Sequence, residues 1–209
     1  MDVNKKIEEL KIVPVVVLHN ADNAVPLADA LIQGGLPIAE ITFRTEAAEA
    51  SIRAITERFP EMLVGAGTIV TVEQAKKAVS AGAKFLVSAG FSPKVTEYAV
   101  ENKIPVFPGI CTPTELMYLL EYGLSVAKFF PASQYGGLAT IKALSGPFPQ
   151  MRFMPTGGIN AGNIREYLAD PRIIACGGSW MVKDSLIREG KFDEIKKATM
   201  EAVELVKDL

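Results

Sequence analysis

Eight times along this chain a short β-rich run is followed by a segment with helical spacing, and this recurrence constrains the fold more than any other feature. The runs are Ile12 to His19, Ile38 to Phe43, Leu63 to Ile69, Phe85 to Ala89, Val106 to Cys111, Ser125 to Pro131, Arg152 to Thr156 and Ile173 to Gly177, about 20 to 27 residues apart. Alternating βα units imply a parallel sheet, and eight of them imply a sheet closed on itself. At 209 residues the chain suits one domain burying roughly 70% of its unfolded surface. The expectation is an α/β fold: a single (β/α)8 TIM-barrel domain over residues 1–209 with an N-terminal helix, near the small end for that architecture. An open doubly wound sheet is disfavoured. No G-x-G-x-x-G opens the first helix, and glycines cluster after the seventh and eighth runs, where barrels commonly bind phosphate.

Helix boundaries carry their own signals. Thr71 with Gln74, and Thr112 with Pro113 and Glu115, read as capping boxes, and Ser92-Pro93 reads as an N-cap followed by a first-turn proline. Ile52, Ile55 and Phe59 form one apolar stripe, and Ile195, Ala198, Ala202 and Leu205 form another, each on one helix face that should cover the sheet. Met1 to Lys11 is charged, with Ile7 and Leu10 three apart, and reads as an amphipathic helix rather than a signal peptide.

Composition narrows the functional classes. A net charge of -2, with 49% hydrophobic and 22% charged residues, supplies no large basic field, so neither nucleic acid nor an anionic membrane is expected as a partner. The apolar run Ile12 to Leu18 contains Pro14 and is far shorter than the ~20 residues that span a bilayer. A cytoplasmic address is expected. Cys111 and Cys176 lack metal-ligand spacing and read as buried reduced thiols; His19, the only histidine, has no triad or metal partners and reads as structural or peripheral. Neither a metal site nor a cofactor is expected.

Two charges are out of place. Lys128 lies within Val126-Ala127-Lys128-Phe129-Phe130-Pro131, and Glu40 within Ile38-Ala39-Glu40-Ile41-Thr42-Phe43. Alternation turns Lys128 inward with Val126 and Phe130, and puts Glu40, Thr42 and Arg44 on one face toward the interior or the C-terminal mouth. Burial disfavours a charged amine, which is how lysine becomes a nucleophile toward carbonyls, and a nearby carboxylate can move its protons. The alternative for Glu40 and Arg44 is a buried ionic layer without chemistry. Gly157-Gly158 and Gly177-Gly178, with Ser179, stand at the ends of the last two runs, where backbone N–H groups and a hydroxyl could hold an anion beside a short helix. The same glycines could simply serve tight βα turns. Phe130 and Trp180 read as core or pocket packing.

Taken together, Glu40-Ile41-Thr42-Phe43-Arg44-Thr45, Gly65-Ala66-Gly67-Thr68, Lys128-Phe129-Phe130-Pro131-Ala132, Pro155-Thr156-Gly157-Gly158-Ile159 and Gly177-Gly178-Ser179-Trp180 resemble the 2-keto-3-deoxy-6-phosphogluconate (KDPG) aldolases. The resemblance runs nearly end to end. It implies a class I aldolase that splits a phosphorylated keto acid into pyruvate and glyceraldehyde 3-phosphate, working as a homotrimer. By motif, it makes Lys128 the Schiff-base lysine and Glu40 the general acid/base, with Arg44 and Thr68 holding the pyruvoyl carboxylate. Phe130 would line that pocket, Thr156 would contact a substrate hydroxyl or the adjoining region, and Gly157, Gly158, Gly178 and Ser179 would hold the phosphate. The chain departs from the family at Ser88-Ala89-Gly90, where Ser-Pro-Gly is common, which bears on the pocket wall.

Three rival readings stand beside this one. The same lysine could serve the galactonate epimer or unphosphorylated 2-keto-4-hydroxyglutarate. A phosphate-binding barrel isomerase or synthase would use Lys128 as an electrostatic clamp, and a non-catalytic sugar-phosphate binder would use neither charge chemically.

Overall fold

The computed structural model describes residues 2–209. Its strands are β1 (Ile12–Val16), β2 (Ile38–Thr42), β3 (Leu63–Gly67), β4 (Phe85–Val87), β5 (Val106–Phe107), β6 (Gly109–Ile110), β7 (Val126–Phe129), β8 (Arg152–Pro155) and β9 (Cys176–Gly178). Helix α1 (Val3–Leu10) precedes them. Between strands lie α2 (Ala24–Gln33), α3 (Ala48–Arg58), α4 (Val72–Ser80), α5 (Pro93–Glu101), α6 (Pro113–Glu121), α7 (Gly137–Ser145) and α8 (Ile164–Leu168); α9 (Asp184–Arg188) and α10 (Phe192–Glu204) close the chain.

All pairings are parallel. One sheet runs β5-β4-β3-β2-β1-β9 and the other β6-β7-β8. Two joints complete the TIM-barrel circuit. Single bridges Phe153↔Ile173 and Thr156↔Gly177 link β8 to the β9 segment, and β5 and β6 are halves of one strand interrupted at Pro108. Proline has no N–H to give the ladder, so the fifth run, expected as one strand to Cys111, is broken there; the Pro108 carbonyl still accepts from Lys128 N at 3.0 Å. The eighth run also differs, since its ladder spans Cys176–Gly178 and Ile173 contributes only a bridge.

The caps explain where several helices begin. Thr112 and Glu115 form the full reciprocal box. At α4 the box is displaced by one residue: Thr71 accepts from Gln74 N, but the Gln74 side chain reaches Val70 N at 2.8 Å. Ser92 makes no side-chain cap bond, so Pro93 alone marks the start of α5. The expected stripes face inward, with Ile52, Ile55, Ile195 and Ala202 fully buried and Phe59, Ala198 and Leu205 packed at the margin. Helix α1 buries Val3 and Ile7, is capped by Asp2, and is tied to the start of β8 by Glu8 and Arg152, whose nearest oxygen and nitrogen are 2.5 Å apart. The Arg152 guanidinium holds the Glu8 carboxyl below its ordinary range.

Candidate active site

Inside the barrel one charge meets another. Lys128 on β7 and Glu40 on β2 point into the interior, where Lys128 is 4% and Glu40 0% exposed, with Nζ 3.3 Å from Glu40 Oε1. This is the buried pairing anticipated for the two misplaced charges, but Glu40 pairs with Lys128 and not with Arg44. Removing two ions from water costs several kcal/mol each in effective terms. The pair is also incompletely satisfied, because Glu40 Oε2 is buried without a hydrogen-bond partner. Structural ion pairs normally saturate such oxygens. A lone pair left facing the interior is suited to taking or giving a proton when a substrate arrives.

Space for Glu40 comes from a residue that sequence reasoning did not single out. On β3, a Cβ at Gly67 would lie 2.1 Å from Glu40 Oε1 and 2.6 Å from its carboxyl carbon. Gly67 pairs with Thr42, two residues beyond Glu40, so the glutamate side chain leans over it toward the C-terminal ends of the strands. Thr42 itself is satisfied, donating its hydroxyl to the Val16 carbonyl at 2.8 Å.

At the mouth, Arg44 stands just past the end of β2, exposed rather than inward, and donates from Nε to Thr68 Oγ1 at 3.3 Å. Thr68 has φ +55°, in the left-handed region. For a β-branched residue this conformation is costly, of order 1–3 kcal/mol, and such strain concentrates at ligand sites. Phe130 roofs the lysine, with Nζ 5.2 Å from its ring centroid.

An open cavity of about 520 Å³ is bounded by Arg44, Phe130, Thr156, Gly158, Ser179 and Trp180, among others. A cavity of about 390 Å³ lies at the opposite end of the strands, between the start of α1 and residues leading into β5 and β7. It is remote from the buried ion pair, so the mouth is the candidate site. The glycines at the mouth have two distinct reasons. Gly157 and Gly158 are left-handed, at φ +99° and +77°; Gly177 and Gly178 instead make room, since Cβ atoms there would lie 2.3 Å from Thr156 Oγ1 and 2.0 Å from the Trp180 ring. The tight-turn reading thus accounts for Gly157 and Gly158, and close packing accounts for Gly177 and Gly178. Among the described residues, the N–H groups of Gly157, Gly158 and Ser179 donate to no backbone carbonyl, and Thr156 Oγ1 is buried without a partner. The short helix expected beside Ser179 begins only at Asp184, after a turn closed by Val182 N donating to Ser179 O.

The remaining candidates fall outside this centre. His19 Nε2 lies 3.3 Å from Asp184 Oδ1 at the rim, though Oδ1 gains no well-aligned hydrogen bond. Cys176 is buried and its thiol is pushed well up by burial; Cys111, expected to be buried, is only half-buried, and is raised by desolvation and then by the Glu115 carboxylate. Among the described residues no cluster of three or more His, Cys, Asp or Glu could hold a metal ion. Among them, too, no helix is long and apolar enough to cross a membrane.

Comparison with known proteins identifies the family. The KDPG and KHG aldolase family profile matches residues 3–198. The 2-dehydro-3-deoxy-phosphogluconate aldolase of Haemophilus influenzae is 48% identical over 203 residues, covering 97% of this chain and 96% of its own length. The KHG/KDPG aldolase of Escherichia coli K12 is 45% identical over 193 residues, covering 92% and 91%. Among solved structures, the Legionella pneumophila KDPG aldolase, with pyruvate captured as a covalent carbinolamine, superposes with a TM-score of 0.92 at 38% identity, covering 96% of this chain and 97% of that one. With a barrel, a buried lysine–glutamate pair and matches over nearly its whole length, this chain belongs to the KDPG and KHG aldolase family.

Proposed function

We propose that the protein is a class I aldolase that cleaves 2-keto-3-deoxy-6-phosphogluconate to pyruvate and glyceraldehyde 3-phosphate through an imine on Lys128. The observation that carries this reading is the buried 3.3 Å contact between Lys128 Nζ and Glu40 Oε1. Along it a proton passes from the ammonium to the carboxylate and frees the amine. The amine attacks the C2 ketone; Glu40, now a carboxylic acid, protonates the carbinolamine hydroxyl, and water leaves to give the protonated imine. Glu40, again a carboxylate, takes the C4 hydroxyl proton. The C3–C4 bond breaks, its electron pair flows into the imine to form an enamine, and the aldehyde departs. Glu40 returns the proton to C3, and water hydrolyses the imine to release pyruvate.

The other residues align the substrate. Arg44 and Thr68 hold the pyruvoyl carboxylate through charge-assisted contacts, Phe130 packs against the pyruvoyl group, and Thr156 reaches a hydroxyl of the sugar chain. Gly157, Gly158, Gly178 and Ser179 bind the phosphate, so binding at the far end lowers the entropy cost of orienting C3 and C4. A resident metal has no step to perform here. The substrate is a small phosphorylated keto acid, and the assembly a homotrimer, which sedimentation would register as three times the chain mass.

A second reading is favoured by the Escherichia coli relative, whose name pairs two activities: action on 2-keto-4-hydroxyglutarate with the same lysine, leaving the phosphate cradle empty. A coupled assay of pyruvate release, run with a chelator, tests both. The proposal predicts undiminished turnover under chelation and the highest kcat/KM on the phosphorylated gluconate substrate. A higher value on its C4 epimer or on 2-keto-4-hydroxyglutarate would reassign the substrate, and a metal requirement would remove the imine mechanism.

A further inference from the structure

We infer that Asn163 is a positioning residue for anion binding: its side-chain amide turns the Gly158 carbonyl away from the cavity, so that the Gly157–Gly158 turn presents only N–H donors to a phosphate group. This rests on the phosphate-cradle part of the proposed function. Asn163 occupies the N-cap position of α8 yet makes no side-chain cap bond to that helix, the service an asparagine there usually gives. Its amide is engaged elsewhere. Nδ2 donates to Gly158 O at 2.9 Å, and Oδ1 accepts from Asn160 N at 2.9 Å. Asn160 reinforces the arrangement, its Nδ2 donating to the same carbonyl at 3.4 Å and its Oδ1 accepting from Gly162 N at 2.8 Å.

The turn is held from the other side as well. Ser133 N donates to Gly157 O at 3.1 Å, and the Ser133 hydroxyl packs so close to Gly158 that a Cβ there would fall 2.0 Å from it. Both carbonyls of the turn are thus occupied by protein donors. An anion beside an unrestrained glycine turn would meet carbonyl dipoles as often as N–H groups, because left-handed glycines move readily. Fixing the carbonyls fixes the sign of the potential at the cavity wall. An independent observation points to a ligand at this wall: Thr156 Oγ1, on a residue 6% exposed that lines the same cavity, is buried with no hydrogen-bond partner.

The test compares the wild-type protein with Asn163→Ala and Asn163→Asp by two readouts. One is the affinity for inorganic phosphate from calorimetric titration; the other is the rate of borohydride trapping with pyruvate, which involves no phosphate. Losing one hydrogen bond of ordinary strength should weaken phosphate binding about five- to tenfold in Asn163→Ala. Asn163→Asp keeps the acceptor for Asn160 N but sets a carboxylate against the Gly158 carbonyl and near the anion, and should weaken it further. Trapping should proceed at the wild-type rate in both. Unchanged phosphate affinity in either folded variant overturns the inference, as does an equal fall in phosphate affinity and trapping, which would mark a general structural role. If Asn163→Ala does not fold, Asn163→Asp decides by the same criteria. Should the wild-type protein itself fail to trap pyruvate, the aldolase reading fails, while the phosphate titration still decides the role of Asn163.

Discussion

Glu40 Oε1 and Lys128 Nζ stand 3.3 Å apart although 88 residues separate them in the chain and their strands, β2 and β7, are not neighbours. The contact is made across the barrel interior, so neither residue can be displaced without disturbing the other. Replacing Glu40 by Gln keeps the shape and removes the proton carrier. Turnover by Glu40→Gln should fall roughly 10²- to 10⁴-fold, the usual contribution of general acid/base catalysis, while pyruvate still binds. Steady-state kinetics alongside a pyruvate titration check this; near-normal kcat would take the proton-shuttle role away from Glu40.

Gly67 sets where that carboxylate sits. A methyl group at Gly67 collides with Glu40 at 2.1 Å, and overpacking of this kind costs about 1–3 kcal/mol. Gly67→Ala should therefore lower the melting temperature and lower kcat. If thermal melts and kinetics of Gly67→Ala match wild type, Glu40 has freedom that the packing denies.

Thr68 is held in a conformation that L-residues avoid. Thr68→Gly and Thr68→Ala both delete the hydroxyl that accepts from Arg44, but only glycine relieves the backbone. Thr68→Gly should be more stable than Thr68→Ala by about 1 kcal/mol in urea unfolding, with both variants showing a raised KM. Equal stability of the two would argue against stored strain at this residue.

The barrel was readable because eight apolar runs separated by helical stripes leave few other ways to bury the chain. Lys128 and Glu40 stood out because a charge inside a strand-like run is conspicuous, and two such charges suggested an acid/base and nucleophile pair; their distance across the interior was not legible, because register around a closed barrel is a long-range property. Three features left weaker traces. Pro108 sits in the fifth run, yet whether a proline breaks a strand depends on which neighbour needs its missing N–H. Gly67 looked like any small strand residue until Glu40 was seen leaning over it. The Asn160–Asn163 clamp resembles ordinary helix-start chemistry, and only the absence of a cap bond at Asn163 reveals another use.

Acid stability offers a check away from the site. Arg172 holds the Asp170 carboxyl below its ordinary range, through a side-chain hydrogen bond from Nε at 2.7 Å that outweighs the opposing effect of burial. A depressed folded-state pKa means the contribution is complete above the unfolded carboxylate value near ~4 and is lost as pH falls through the lower folded value. Wild type should thus exceed Asp170→Asn in unfolding free energy by about 1–3 kcal/mol at pH 7, with the difference narrowing below about pH 4. Denaturant curves from pH 2 to 7 test this, and a gap that widened as pH fell would give the linkage the wrong sign.

The central claim is that one buried amine, that of Lys128, condenses with a keto acid. Borohydride reduction in the presence of pyruvate, followed by peptide mass mapping, measures this most directly. One reduced pyruvate adduct per chain is expected, on Lys128, and none in Lys128→Met. Adduct formation at another lysine, or an unmodified Lys128 in a protein that still turns over, would contradict it.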